Sequence, residues 1–152
     1  MAKILDFGTD GEGISGADWL QSCNEPDMPE GCNLIKVWVK PGVPIPVPDE
    51  TYDMIHCKDS LNCNDVATGW RWIFSEFKRI LKVGGLIVIQ DCMSVEDGDE
   101  DFSLVEKEAD LIKKVFEESF PWQKGWCCIA RVTPQYGGEV ATTAYVRKEY
   151  VL

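Results

Sequence analysis

The sequence predicts an α/β fold whose sheet is mostly parallel and closes with an antiparallel hairpin. Three observations carry this prediction. Strand-like apolar runs at 3–7, 52–57 and 86–89 alternate with helical stripes at 69–81 and 102–116, the order that builds parallel sheets. Leu86-Ile87-Val88-Ile89 shows no polar alternation, as expected of a strand covered on both faces. Two further runs, 126–132 and 140–148, flank Tyr136-Gly137-Gly138, a hairpin signal. At 152 residues the chain is one domain, 1–152.

Taken in order, Lys3-Ile4-Leu5-Asp6-Phe7 reads as a buried strand, and Gly8, Gly11 and Gly13 as the turn after it. Residues 14–18 read as a second short strand ending in an acid. Pro26, Pro29 and Gly31 mark 22–32 as loop, and 34–39 is a third strand. Four prolines between 41 and 48 forbid helix and dictate an extended path. Tyr52 to Cys57 is the next strand. Trp70, Phe74, Phe77 and Leu81 step by 4, 3 and 4 along one helical face. Trp72 lies off that stripe and is the candidate for exposed contact. Lys82-Val83-Gly84-Gly85 is expected to end the helix. Phe102, Val105, Ala109, Ile112 and Phe116 mark a second helix, which Pro121 stops.

Composition narrows the function. There are 15 Lys+Arg against 26 Asp+Glu, a net charge of −11, which is a poor electrostatic match for nucleic acid or anionic lipid. No apolar run approaches the roughly 20 residues that span a bilayer, and no signal-peptide pattern opens the chain. The expected setting is cytoplasmic. The seven cysteines form no Cys-x-x-Cys pair and there is one histidine, His56, so no metal site is expected and the thiols read as small hydrophobes.

Ligands of open parallel sheets sit at the carboxyl ends of the strands. Four predicted strands end in polar or small groups: Asp6-Phe7-Gly8, Asp18, His56-Cys57-Lys58-Asp59 and Asp91-Cys92. Glycine after the first strand lets backbone amides approach a ligand. An acid ending the second strand suits a ribose diol, because a carboxylate accepts two hydroxyl bonds. The same residues also suit the ordinary loops of an α/β sheet. His56 is the obvious general base, with Asp59 or Asp91 near it at strand ends. A histidine ending a strand also serves simply by bonding the backbone.

Two segments carry a family resemblance. Pro48-Asp49-Glu50-Thr51-Tyr52-Asp53-Met54-Ile55-His56-Cys57 resembles the fourth strand of class I S-adenosylmethionine-dependent methyltransferases. Phe77 to Ile89 is similar to their following helix, Lys-Pro-Gly-Gly turn and fifth strand, with Val83 in place of the proline. Ile4-Leu5-Asp6-Phe7-Gly8 is similar to the first strand and nucleotide loop, and Gly16-Ala17-Asp18 to the end of the second strand. The final hairpin matches the family's antiparallel edge. Two departures stand out. Only nine residues separate Gly8 from Asp18, too few for the family's first helix and its connections. The glycine loop carries Asp10 and Glu12, and Trp38, Val39 and Lys40 stand where an acid often holds the adenine amine.

The resemblance implies a Rossmann-like methyltransferase fold truncated near the first helix, acting with S-adenosylmethionine on a small molecule. Asp6, Gly8, Thr9 and Asp18 would hold the amino-acid and ribose parts, and Cys57 and Lys58 would lie near the adenine or the sulfonium. His56, Asp59 and Asp91 are the expected catalytic groups. The rival expectation is a relative that has lost methyl transfer, a cofactor-independent cyclase or isomerase or a binding or scaffold module. Loss of the first helix would bare one sheet face, so a homodimer or a partner subunit covering that face is expected.

Overall fold

The computed structural model describes residues 2–8, 14, 16–21, 31–95, 102–123, 126–133 and 137–149. Seven strands form one sheet: β1 (Ile4–Phe7), β2 (Asp18–Gln21), β3 (Asn33–Lys36), β4 (Tyr52–Lys58), β5 (Leu81–Val95), β6 (Trp126–Thr133) and β7 (Gly137–Arg147). Their order is β3-β2-β1-β4-β5-β7-β6. The first five strands run parallel, and β7 pairs antiparallel with both β5 and β6. The predicted sheet, its hairpin and the shortened start are all present. Residues 8–17 alone join the parallel neighbours β1 and β2, fewer than a helical crossover normally takes.

The helices are α1 (Arg71–Ile80), preceded by a π-helical turn at Val66–Trp70, and α2 (Phe102–Ser119). Asp65 starts the turn by accepting the Thr68 backbone N–H at 2.9 Å. Both helices lie on one sheet face. Phe7 meets Phe77 edge-on at 5.1 Å, Phe74 meets Phe116 at 4.9 Å, and Phe116 stacks on Trp126 at 5.0 Å. Leu5, Phe7, Ile55, Cys57, Ile87 and Ile89 complete this core. Alternation sends Asp6, His56 and Val88 to the opposite face.

Three local expectations need correction. The second strand is not 14–18 but Asp18–Gln21, so Asp18 opens the strand instead of ending it. The strand starts four residues later than expected because acid and glycine spacing around Ala17 is ambiguous. The segment 82–85 is not a helix cap: α1 ends at Ile80, and Leu81 already pairs with Tyr52. Gly84, at φ +80, lets β5 bend there, and its N–H donates to Lys148 O at 2.7 Å. Trp72 is half-buried, its Nε1 donating to Val43 O at 2.8 Å.

That last contact belongs to the proline-rich strap 41–48, which runs between β3 and β4 without forming a helix. Glu76, buried on α1, accepts the Ile45 N–H at 2.7 Å. Arg79 donates to Ile45 O and Val47 O, each at 2.8 Å, and pairs with Glu76 at 2.8 Å. The strap carbonyls and the Glu76 carboxylate thus satisfy one guanidinium fork. The strap fixes where the chain after β3 lies, and so one wall of the site.

Candidate functional site

The carboxyl ends of β1, β2 and β3 and the turn after β4 enclose a cleft of about 270 Å³ empty volume, lined by Phe7, Leu20, Val37, Trp38, Val39, Cys63 and Asn64. Phe7 and Leu20 end their strands in register with each other and form an apolar floor. Trp38 is 53% exposed beside it. An exposed indole next to an apolar floor is a stacking platform for a flat ring. Sequence reasoning noted Trp38 only as a departure, and it missed Cys63 and Asn64. A large aromatic immediately after the third strand was the signal available.

The opposite wall is the turn 59–64, and several bonds hold it. Asp59 N–H donates to Gln90 O at 2.8 Å, Asn62 Nδ2 to Cys92 O at 3.2 Å, and Trp70 Nε1 to Leu61 O at 2.9 Å. Asp91 Oδ2 accepts the Leu61 N–H at 2.9 Å. Asp91 is buried, and its Oδ1 has no hydrogen-bond partner. Burial pushes its carboxyl up to about 7; the Leu61 amide opposes the shift and the Asp59 charge adds to it. Asp91 is therefore the underside of the turn. Asp59 is exposed at φ +51, a left-handed conformation that costs a non-glycine residue energy and recurs at functional sites.

The remaining predicted residues separate into groups. Asp6 and His56 are register partners on one face, with His56 Nδ1 3.7 Å from Asp6 Oδ1. That distance exceeds a hydrogen bond, so the two groups are neighbours without a direct bond. Asp6 is fully buried, and its Oδ2 accepts the Ile14 N–H at 2.9 Å, which ties the link after β1 back onto the strand. Gly8 follows at φ +65, its N–H turned to Asp6 O at 3.1 Å. Lys58 ends β4 on the His56 face. Thr9 lies outside the described residues.

Cys57 points into the helical core and is fully buried. Desolvation, then the Asp91 and Asp6 charges, push its thiol well up, so it is inert as a nucleophile. Asp91 shares that core face, so it does not stand beside the His56 ring. Among the described residues Asp6 is the acid beside His56, and neither Asp59 nor Asp91 takes that place. Asp18 is at the opposite end of the sheet. It pairs in register with Leu5, accepts the Tyr52 hydroxyl at 2.7 Å and lies 4.0 Å from Lys3 Nζ. A ribose at the carboxyl ends is out of its reach. Among the described residues there is no cluster of metal-ligating groups, and no helix is long and apolar enough to cross a membrane.

No protein-family model matches the sequence, and no curated protein matches it. Solved structures do. A protein of Bacillus halodurans C-125, provisionally assigned as a methyltransferase, aligns over 98% of this chain and 93% of its own, with 15% identity and a TM-score of 0.64. An S-adenosylmethionine-dependent methyltransferase of Methanosarcina mazei aligns over 99% and 93%, with 13% identity and a TM-score of 0.61. The geranyl diphosphate C-methyltransferase of Streptomyces coelicolor A3(2), solved with Mg²⁺, geranyl diphosphate and S-adenosyl-L-homocysteine, aligns over 97% and 73%, with 10% identity and a TM-score of 0.55. The strand order, the hairpin edge and these alignments agree: the chain has the fold of the class I S-adenosylmethionine-dependent methyltransferases.

Proposed function

We propose that this chain binds S-adenosylmethionine at the carboxyl ends of β1–β3 and directs methyl transfer to a small molecule. The cleft beside Trp38 is the observation that carries the reading. With about 20 Å³ of accessible space the hollow is shallow, far smaller than the roughly 300–1,000 Å³ of sites that enclose a whole small molecule. A nucleobase would lie across its mouth against the exposed Trp38 ring, with the rest of the ligand lying outward along the strand ends. The donor set agrees: an exposed indole for stacking, an apolar floor to exclude water, and the Asn64 amide at the rim. A bound S-adenosylmethionine would supply the electrophilic methyl of its sulfonium.

The residues of the chain do the rest. Trp38 and the floor seat the base, and Gly8 leaves the end of β1 open to the ligand. His56, beside Asp6, is the group to accept a proton from a hydroxyl acceptor when its ring is neutral. Methyl transfer otherwise depends on holding the two reactants in line. The net charge of −11 favours a small acceptor over a polyanion.

Calorimetric titration with S-adenosylmethionine and S-adenosylhomocysteine tests the reading. Both should bind, and Trp38→Ala should weaken both by about tenfold or more, since stacking on a base contributes ~1–3 kcal/mol. Absence of heat at millimolar ligand would remove the proposal and leave the cofactor-free rival.

A further inference from the structure

The two edges of the sheet are not alike. β3 is four residues long, carries Lys36 and runs on towards Pro41. Short strands, lysines and prolines are how soluble proteins blunt an edge. β6, Trp126–Thr133, is eight residues long, contains no proline, glycine or lysine, and carries one charged residue, Arg131. Among the described residues it pairs with β7 alone. Ile129 on it is 52% exposed. A long edge of this kind is a template for another strand.

α2 packs on the core face of β6. Between them lies an open groove of about 460 Å³ empty volume, lined by Glu106, Ala109, Asp110, Lys113 and Ala130. Its floor is two alanines, so a neighbour can come close. Its rim is charged, acidic at Glu106 and basic at Lys113, seven positions or about 10 Å along the helix. The midpoint of that pattern falls at 109–110. Ile129, in the middle of β6, follows Cys128, whose Sγ lies 3.9 Å from Ala109 O.

We propose that a second copy of this chain docks on β6 about a two-fold axis through Ile129, continuing the sheet across the dimer. One axis meets both demands. It lays β6 antiparallel on its copy over 126–132, forming up to about eight backbone hydrogen bonds. It also sets Glu106 of each α2 opposite Lys113 of the other. With strands about 4.8 Å apart and each helix just inside its edge strand, the two α2 axes stand about 10 Å apart, normal for packed helices. Asp110, beside the axis, has Lys113 one turn along its own helix to offset it. The sequence alone pointed to the helix-free face beside β1, where Asp6 and Trp19 are buried and Leu34 and Tyr145 are 41% and 52% exposed. The exposed edge is at the other side of the sheet.

Sedimentation velocity from low to high micromolar concentration should show two 17.1-kDa chains associating. Ile129→Lys, at a half-exposed position, should leave the melting curve intact and abolish the dimer. Lys113→Glu should raise the dissociation constant about tenfold, as rim charges turn repulsive, and adding Glu106→Lys should restore it. A monomer at every concentration overturns the proposal. So does a dimer indifferent to both single variants, or a Lys113→Glu defect that the double variant does not rescue.

Discussion

Asp91→Asn isolates the cost of the buried carboxyl beneath the turn that walls the cleft. In the folded chain this carboxyl titrates at about 7, against 3.8 for the ordinary group, chiefly because burial disfavours its charge. A raised carboxylate pKa means the folded state prefers the proton. The stability this gives is full below pH 4 and is lost as pH rises towards 7. Three units at 1.36 kcal/mol each make about 4 kcal/mol in total, an upper bound, and about 2–3 kcal/mol of it falls between pH 5 and 8. Asn keeps an oxygen for the Leu61 N–H but cannot ionise. Its NH₂ occupies the place of Oδ1, which has no partner, and that cost is the same at every pH. The slope is therefore the informative quantity. Urea unfolding of both proteins from pH 5 to 8 should show the Asn variant gaining on the wild type by about 2–3 kcal/mol, or roughly 5–10 °C in melting temperature for a chain of this size. Parallel stability curves across that range would refute the argument that burial of a charge dominates here.

Three other substitutions test neighbouring parts of the account. Arg79→Ala removes the fork that holds the strap and leaves Glu76 buried without its cation. It should cost ~2–4 kcal/mol in chemical unfolding, whereas a purely surface ion pair would cost under ~1 kcal/mol. Asp59→Gly relieves the left-handed backbone at φ +51 and should raise stability by about 0.5–1 kcal/mol; a drop in the melting temperature would mean the conformation carries no strain. Asp18→Ala strands the buried Tyr52 hydroxyl and should cost ~1–3 kcal/mol while leaving S-adenosylhomocysteine affinity unchanged, because Asp18 lies at the far end of the sheet. Weakened binding in that variant would return it to the cofactor site.

The long elements were legible in the sequence because burial imposes a period on them. The steps from Trp70 to Leu81 and from Phe102 to Phe116 place one face of each helix on the sheet, and the unbroken run 86–89 announces a central strand. β2 was misplaced because four residues are too few for a period to show, and the only landmark, Asp18, sits at its start. The site was half legible for the same kind of reason. Strand ends can be read along the chain, which found Gly8, His56 and Asp59. The face a strand residue points to depends on register, which only the sheet supplies. Register separates Cys57 and Asp91, on the helical face, from His56 and Asp6. The cleft itself joins Phe7, Trp38 and Asn64, three segments whose meeting depends on the strap held by Arg79.

The central claim is that a nucleoside sits between Trp38 and the turn 59–64. Cys63 is exposed and lines that cleft, so its alkylation rate reports occupancy directly. Followed site by site by mass spectrometry, modification of Cys63 should slow by about tenfold at S-adenosylhomocysteine concentrations ten times the dissociation constant, with the rate at Cys92, outside the cleft, as the internal control. An unchanged Cys63 rate at ligand concentrations that saturate binding would contradict the placement.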